Sequence, residues 1–187
     1  ANYDSNTVSK LPLEGTSTLF GTTGSRPRAI AIDDAGNVYT ANLDSNTVSK
    51  ITPAGVSTIL GATDVDPRAI AIDAAGSIYT VNEFARNVSK ITSDGVSTIF
   101  ATTDSDPSAI AIDAAGNVYT ANYGSHTVSK ITPAGSSTVF GATGTGPRAI
   151  ATDAAGNVYT ATSAPHPDSK MPTSLVPPLP TPNVVDS

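Results

Sequence analysis

Ala41-Asn42-Leu43-Asp44-Ser45-Asn46-Thr47-Val48-Ser49-Lys50-Ile51-Thr52-Pro53-Ala54-Gly55-Val56-Ser57-Thr58-Ile59-Leu60 opens a 40-residue unit that runs to Thr80 and then starts again. The Thr47-Val48-Ser49-Lys50 element recurs at Thr7-Val8-Ser9-Lys10, Asn87-Val88-Ser89-Lys90 and Thr127-Val128-Ser129-Lys130. Tyr39, Tyr79, Tyr119 and Tyr159 keep the same phase, as do Pro27, Pro67, Pro107 and Pro147. Residues 41–80 and 121–160 agree at 28 of 40 positions, with no insertion or deletion. A fixed period in the 20–50 range marks a propeller, solenoid or array.

Each unit carries four strand signals. Ala29-Ile30-Ala31-Ile32 alternates small and large residues, the period of a strand (strand A). Asp33-Asp34-Ala35-Gly36 is a turn, since Asp bonds its own backbone and Gly accepts positive φ. Asn37-Val38-Tyr39-Thr40 is β-branched and aromatic (strand B). Asn42 to Asn46 reads as a polar loop, Thr47 to Thr52 as strand C, Pro53-Ala54-Gly55 as a turn and Val56 to Leu60 as strand D. Gly61 to Pro67 reads as the link to the next unit. The connections are short, so neighbouring strands run antiparallel. Four such strands in about 40 residues make a β-propeller blade. A blade buries its faces only against neighbours, and the alanines of strand A suit the crowded region near a propeller axis.

The run Pro67-Arg68-Ala69-Ile70-Ala71-Ile72-Asp73-Ala74-Ala75-Gly76-Ser77-Ile78-Tyr79-Thr80, followed by the Asn-x-x-x-x-Asn-Val-Ser-Lys element, resembles the NHL repeat. The resemblance covers about residues 1–160 and implies blades of that type. It implies less about activity, because members of that family bind proteins, RNA or glycans, or act as lyases and lactonases.

Residues 1–20 hold strands C and D alone, and residues 147–160 hold A and B alone. The expected fold is therefore all-β, a propeller of four-stranded antiparallel blades, four per chain, with one composite blade shared by the termini. Two other readings are an eight-bladed ring made by two chains, which is a homodimer, and a fragment of a longer array. The chain starts at Ala1 without an initiator Met, which reads as a processed product or an excised piece. The propeller is assigned to residues 1–160. Residues 161–187 hold seven of the fourteen prolines and read as a tail or strap, because proline removes ladder donors.

Composition narrows the function classes. The chain has 187 residues, 39% of them hydrophobic and 14% charged, with no cysteine and no tryptophan. A disulfide framework, a cysteine zinc site and a thiol nucleophile are excluded. A net charge of −6 lacks the footprint of a nucleic-acid binder. No apolar run approaches the ~18 residues of a membrane span.

Catalysis is poorly supported. His126 and His166 are the two histidines, and no serine elbow, phosphate loop or His-Glu-x-x-His occurs. No catalytic residue, metal ligand or cofactor is assigned. The repeated tyrosines read as packing residues, and Asp33, Asp73, Asp113 and Asp153 as turn chemistry before ion binding. Asn87-Val88-Ser89 is a glycosylation sequon that begins a strand and is expected to pack.

Variation between repeats gathers in the D–A and B–C loops, which open on one face of an up-down blade. Rigid scaffolds with variable loops at one end commonly bind. Arg28, Arg68 and Arg148 follow the repeated prolines, with Ser108 in the fourth place. Three converging guanidiniums suit a carboxylate, phosphate or sulfate, unless each pairs with a loop carboxylate such as Asp64, Asp66, Asp104 or Asp106. Tyr3, Phe84, Arg86, Tyr123 and His126 surround them. The expected function is a non-enzymatic binding module for a protein or peptide, a glycan or a small anionic ligand, bacterial in style and extracellular or on the cell surface. The alternatives are a small propeller lyase or hydrolase with a channel metal, and a structural unit of a surface assembly.

Overall fold

Strand β1 (Thr7–Lys10) pairs with β2 (Thr18–Thr22) as a two-stranded antiparallel sheet. Three four-stranded sheets follow in the computed structural model, which describes residues 1–163. They are β3 (Pro27–Ile32), β4 (Val38–Asn42), β5 (Thr47–Ile51) and β6 (Ser57–Ala62); β7 (Pro67–Ile72), β8 (Ile78–Asn82), β9 (Asn87–Ile91) and β10 (Ser97–Thr102); and β11 (Pro107–Ile112), β12 (Val118–Asn122), β13 (Thr127–Ile131) and β14 (Ser137–Ala142). A last hairpin joins β15 (Pro147–Thr152) to β16 (Val158–Thr162), two residues beyond the expected boundary. The Pro-rich tail, apart from its first three residues, and His166 lie outside the described residues.

Every sheet is an up-down antiparallel meander, and β3, β7, β11 and β15 pack side by side in series as the innermost strands. Small alanines between isoleucines permit that approach. The sheets meet through repeated apolar clusters. Tyr79, Val81 and Val88 of one sheet pack with Val118 and Ile131 of the next, with Phe100, Ile110 and Ile112 against them. One repeat earlier, Tyr39 and Val48 meet Ile78 and Ile91, with Leu60, Ile70 and Ile72. Each tyrosine is clamped by its turn. Asp113 Oδ2 accepts the Tyr119 hydroxyl at 3.1 Å and the Asn117 side-chain amide at 2.8 Å, while its Oδ1 accepts two backbone N–H groups.

A register irregularity lets the outer strands supply part of this core. Val8 faces Gly21 and Ser9 faces Leu19, which leaves Phe20 out of the ladder. The same bulge recurs in β5–β6, β9–β10 and β13–β14. Phe20, Leu60 and Phe100 are thereby turned toward the neighbouring sheet.

Two expectations need correction. Asn42 is not a loop residue: it ends β4 and is fully buried, as are Asn82 and Asn122 in their strands. Nor do the two end segments pair in one sheet among the described residues. The β1–β2 and β15–β16 hairpins are separate two-stranded sheets at opposite ends of the series. Among the described residues β1 has its ladder with β2 and β16 with β15, and no ladder joins β1 to β16.

The turn carboxylates and tyrosines also set a pH window. Burial works to raise the Asp33 and Asp113 pKa values, but hydrogen bonds from Asn37 and Tyr39, and from Asn117 and Tyr119, outweigh it and hold both below the ordinary value. Their contribution to stability is present above about pH 4 and is lost as pH falls below that. Burial, helped by Asp33, pushes the Tyr39 phenol up to about 12. The neutral phenol therefore stabilises the fold below about pH 10, and this is lost as pH rises toward 12. The thermal midpoint is expected to be flat from about pH 5 to 9 and to fall on both sides. A midpoint still rising below pH 4 would contradict this assignment of the carboxylates.

Candidate functional site

The D–A and B–C loops do lie on one face, tied to each other by backbone hydrogen bonds. Glu83 N–H donates to Asp66 C=O and Tyr123 N–H to Asp106 C=O, both at 2.9 Å. Thr63 N–H donates to Asn46 C=O and Thr143 N–H to His126 C=O, both at 2.8 Å. Beneath them a buried polar network fixes their height. Asn82 Nδ2 donates to Asn87 Oδ1 at 2.7 Å and to Ser89 Oγ at 2.8 Å, while Ser89 Oγ accepts the Asp64 N–H at 3.1 Å. Equivalent bonds connect Asn42, Ser49 and Gly24, and Asn122, Ser129 and Asp104. Asn87, the sequon asparagine, is buried within this network and also donates to Asp64 Oδ2 at 2.7 Å, so the expectation that it packs holds.

The arginines sit on a feature that period-2 reading misses. In each innermost strand the register shifts between the proline and the following alanine, so Arg28, Arg68, Ser108 and Arg148 occupy a β-bulge. Bulges re-aim side chains and are frequent beside binding sites. The arginines sense one another. Burial, and then the positive charges of Arg28 and Arg148, hold the Arg68 pKa below its ordinary value, with Asp66 and Asp106 acting oppositely. Arg68 is half-buried and ion-paired with Glu83. Arg148 lies over the Tyr123 ring at 4.5 Å. Arg28 is exposed and makes no ion pair among the described residues. The counter-charge of Arg68 is thus a B–C loop glutamate rather than the D–A loop aspartates named from sequence. Ser108 donates to the Ala121 and Pro147 carbonyls, closing the fourth position structurally.

The surrounding residues divide. Tyr3 faces Arg26, 5.4 Å from its guanidinium, and Arg26 pairs with Asp44 at 3.3 Å. Arg26 was missed because it falls outside the proline-arginine pattern; its signal is its place at the end of a variable loop. Phe84 is 79% exposed, a large apolar side chain at the loop tip. Arg86 and His126 occupy the left-handed position that asparagine holds in other repeats, with φ of 53° and 59° beside 55° for Asn6 and 51° for Asn46. His126 Nδ1 accepts the Gly146 N–H at 3.1 Å, as Asn46 Oδ1 accepts the Asp66 N–H at 3.1 Å. Its imidazole therefore performs a turn function, which sequence reading did not anticipate.

The opposite face carries the Asp33, Asp73, Asp113 and Asp153 turns, whose carboxylates bond their own loops and tyrosines. Among the described residues no group of three or more histidine, cysteine, aspartate or glutamate side chains is placed to hold a metal ion.

Serial four-stranded meanders with inner strands side by side are the blades of a β-propeller, and solved structures share that fold. The chain is similar to virginiamycin B lyase from Staphylococcus aureus, with a TM-score of 0.73 and 20% identity over 84% of this chain and 57% of that one. It is similar to a streptogramin B lyase, with a TM-score of 0.74 and 14% identity over 87% of this chain and 63% of that one. It is similar also to a chain of a nidogen/laminin complex, with a TM-score of 0.69 and 21% identity over 83% of this chain and 64% of that one. The chain thus spans less than two thirds of the length of each. No family model matches it. No curated protein matches it.

Proposed function

We propose that the chain is a non-enzymatic binding module, built of NHL-type blades, whose loop face takes an anionic group on a peptide, glycan or small molecule. The observation that carries this reading is that Arg28, Arg68 and Arg148 occupy the same bulge in three of the four innermost strands, which pack side by side; the positive charges of Arg28 and Arg148 also help to hold the Arg68 pKa below its ordinary value. Tyr3, Phe84, Arg86, Tyr123 and His126 lie in the adjoining loops, so an organic scaffold attached to the anion has aromatic surface to rest on. The low charge density, the absence of cysteine and the proline-rich tail suit a bacterial extracellular or surface protein.

The likeness to two lyases favours a second reading, a lyase or hydrolase, at the level of fold alone. The two separate by turnover: a binding module holds its ligand unchanged. A sulfated oligosaccharide serves as probe. Binding is expected to weaken as salt rises from 50 to 500 mM, because exposed charge pairs are screened over a Debye length of about 8–10 Å near physiological salt. Replacing Arg28 and Arg148 together by alanine is expected to weaken it at least ~10-fold. Both are exposed, so the thermal midpoint should stay within a few degrees. Salt-independent binding, or normal binding by a double variant that unfolds early, would assign the arginines to structure instead.

A further inference from the structure

The three arginines of the loop face are not equivalent. Arg68, in β7, is ion-paired with Glu83, which follows β8 of the same sheet, and the two side chains are 21% and 20% exposed. The place of Glu83 is taken by Leu43 in the sheet of Arg28 and by Tyr123 in the sheet of Ser108. Those two sheets form the same bulge and the same strand register without such a pair. The ion pair is therefore not a requirement of the blade. Arg28 and Arg148 make no ion pair among the described residues.

Other departures collect around Glu83. Phe84 stands where other repeats have Asp4, Asp44 and Gly124, and Val65 where they have Ser25, Ser105 and Thr145. Both apolar side chains are exposed. Backbone hydrogen bonds join Asp44 to Ser25 and Gly124 to Ser105, so the equivalent loops bring Phe84 beside Val65. The carboxylates of the D–A loops behave differently from Glu83. Asp64 accepts the Val65 N–H and the Asn87 side-chain amide, and Asp104 accepts the Ser105 N–H and the Thr127 hydroxyl. Those groups fix the loops, whereas Glu83 reaches the arginine.

We propose that Glu83 is a tethered stand-in for the ligand's anion, and that the ligand is an acidic peptide whose own carboxylate displaces it from Arg68. This rests on the anion-binding reading above and deepens it in ligand class and selectivity. The group already seated on Arg68 is the carboxylate of a glutamate side chain, so a glutamate of a partner peptide fits the same place. Phe84 and Val65 give an apolar side chain of that peptide a surface to pack on, which a sulfated sugar uses less well. The tether sets a threshold. A side chain held on the same hairpin competes at an effective concentration of about millimolar or more. Exchanging one carboxylate for another adds no ion pair, so a singly charged peptide loses to Glu83. A peptide with further carboxylates for Arg28 and Arg148 makes contacts that Glu83 does not. Glu83 thus selects multiply charged ligands over singly charged ones.

The test titrates the 187-residue chain with two blocked synthetic peptides of equal length. One carries several glutamates around a leucine; the other has glutamine in place of all but one of them. Wild type is expected to prefer the multiply charged peptide by ~10-fold or more. Glu83→Gln keeps the shape and removes the competing charge, so affinity for the singly charged peptide should rise ~10-fold and the preference should shrink. Glu83→Leu, which matches Leu43, should do the same and secures the result if the first variant folds poorly. Asp4→Asn removes an equal charge from the same face and should change either affinity by less than ~2-fold. Unchanged affinities in both Glu83 variants, with binding still lost when Arg28 and Arg148 are replaced, would overturn the inference and leave the anion-binding reading standing. An equal rise in Asp4→Asn would overturn it as well, by assigning the effect to net charge. Tighter binding of a sulfated oligosaccharide than of the multiply charged peptide would overturn the peptide assignment. Failure of wild type and both Glu83 variants to bind either peptide or the oligosaccharide would overturn this inference and the anion-binding reading together.

Discussion

Asn82→Asp is expected to be among the most damaging single substitutions, lowering stability by about 3–5 kcal/mol at neutral pH. The two side chains have the same shape, so packing does not change. The chemistry does. Asn82 is fully buried, accepts from Thr80 Oγ1 at 3.2 Å, and donates to Asn87 Oδ1 and Ser89 Oγ. A carboxylate keeps the accepting role and loses both donations, facing the Asn87 carbonyl oxygen with a buried negative charge. Burial raises the pKa of such a carboxyl, so the penalty relative to wild type should shrink as pH falls toward 5. Because Ser89 Oγ also accepts the Asp64 N–H, amide exchange in the 63–66 loop should speed up in the variant. An unchanged unfolding midpoint, or equal penalties at pH 5 and 7, would mean that the network does not carry this weight.

Ile91→Ala is expected to cost about 2–5 kcal/mol and to lower the thermal midpoint by roughly 5–20 °C. Ile91 has no exposed surface and lies between Tyr39, Val48 and Ile78, in the interface that joins two sheets. Truncation removes apolar burial and leaves a cavity where Tyr39 and Leu60 converge. Ile59→Ala is the internal comparison. Ile59 is in strand β6, 56% exposed, and its truncation should cost about 0.5 kcal/mol or less. Similar losses in the two variants would mean that stability is spread through the strands rather than concentrated between the sheets.

Parts of the candidate site were legible for the same reason that the blades were. The repeats act as their own comparison set, so a residue that departs from its counterparts stands out: Phe84, Tyr123, His126, and Ser108 where the other repeats have arginine. Repetition shows that a position differs without showing what the difference does. His126 stood out as a lone loop histidine, yet its Nδ1 makes the bond that Asn46 makes in an earlier repeat. Asn42 looked like a loop residue because asparagine is common in turns; its burial depends on Ser49 and Thr47 lying across the ladder from it. The bulge at Arg28, Arg68 and Arg148 leaves no composition signal, since it is a shift of pairing between two strands.

The sequence by itself determined the blade. The alternation of Ala29 to Ile32, the Asp33 to Gly36 turn, the tyrosine below it and the Val-Ser-Lys strand are local features, repeated with a fixed period. Local features suffice because each strand pairs with its neighbour in the chain through a short turn. What only the tertiary structure decided is how the blades turn relative to one another. Residues distant in sequence make that contact: Tyr79, Val88 and Phe100 of one sheet pack with Ile110, Ile112 and Val118 of the next. The strand inventory, C and D at the start and A and B at the end, implied a shared terminal blade because it says nothing of how the sheets meet. Among the described residues the β1–β2 and β15–β16 hairpins instead form separate two-stranded sheets.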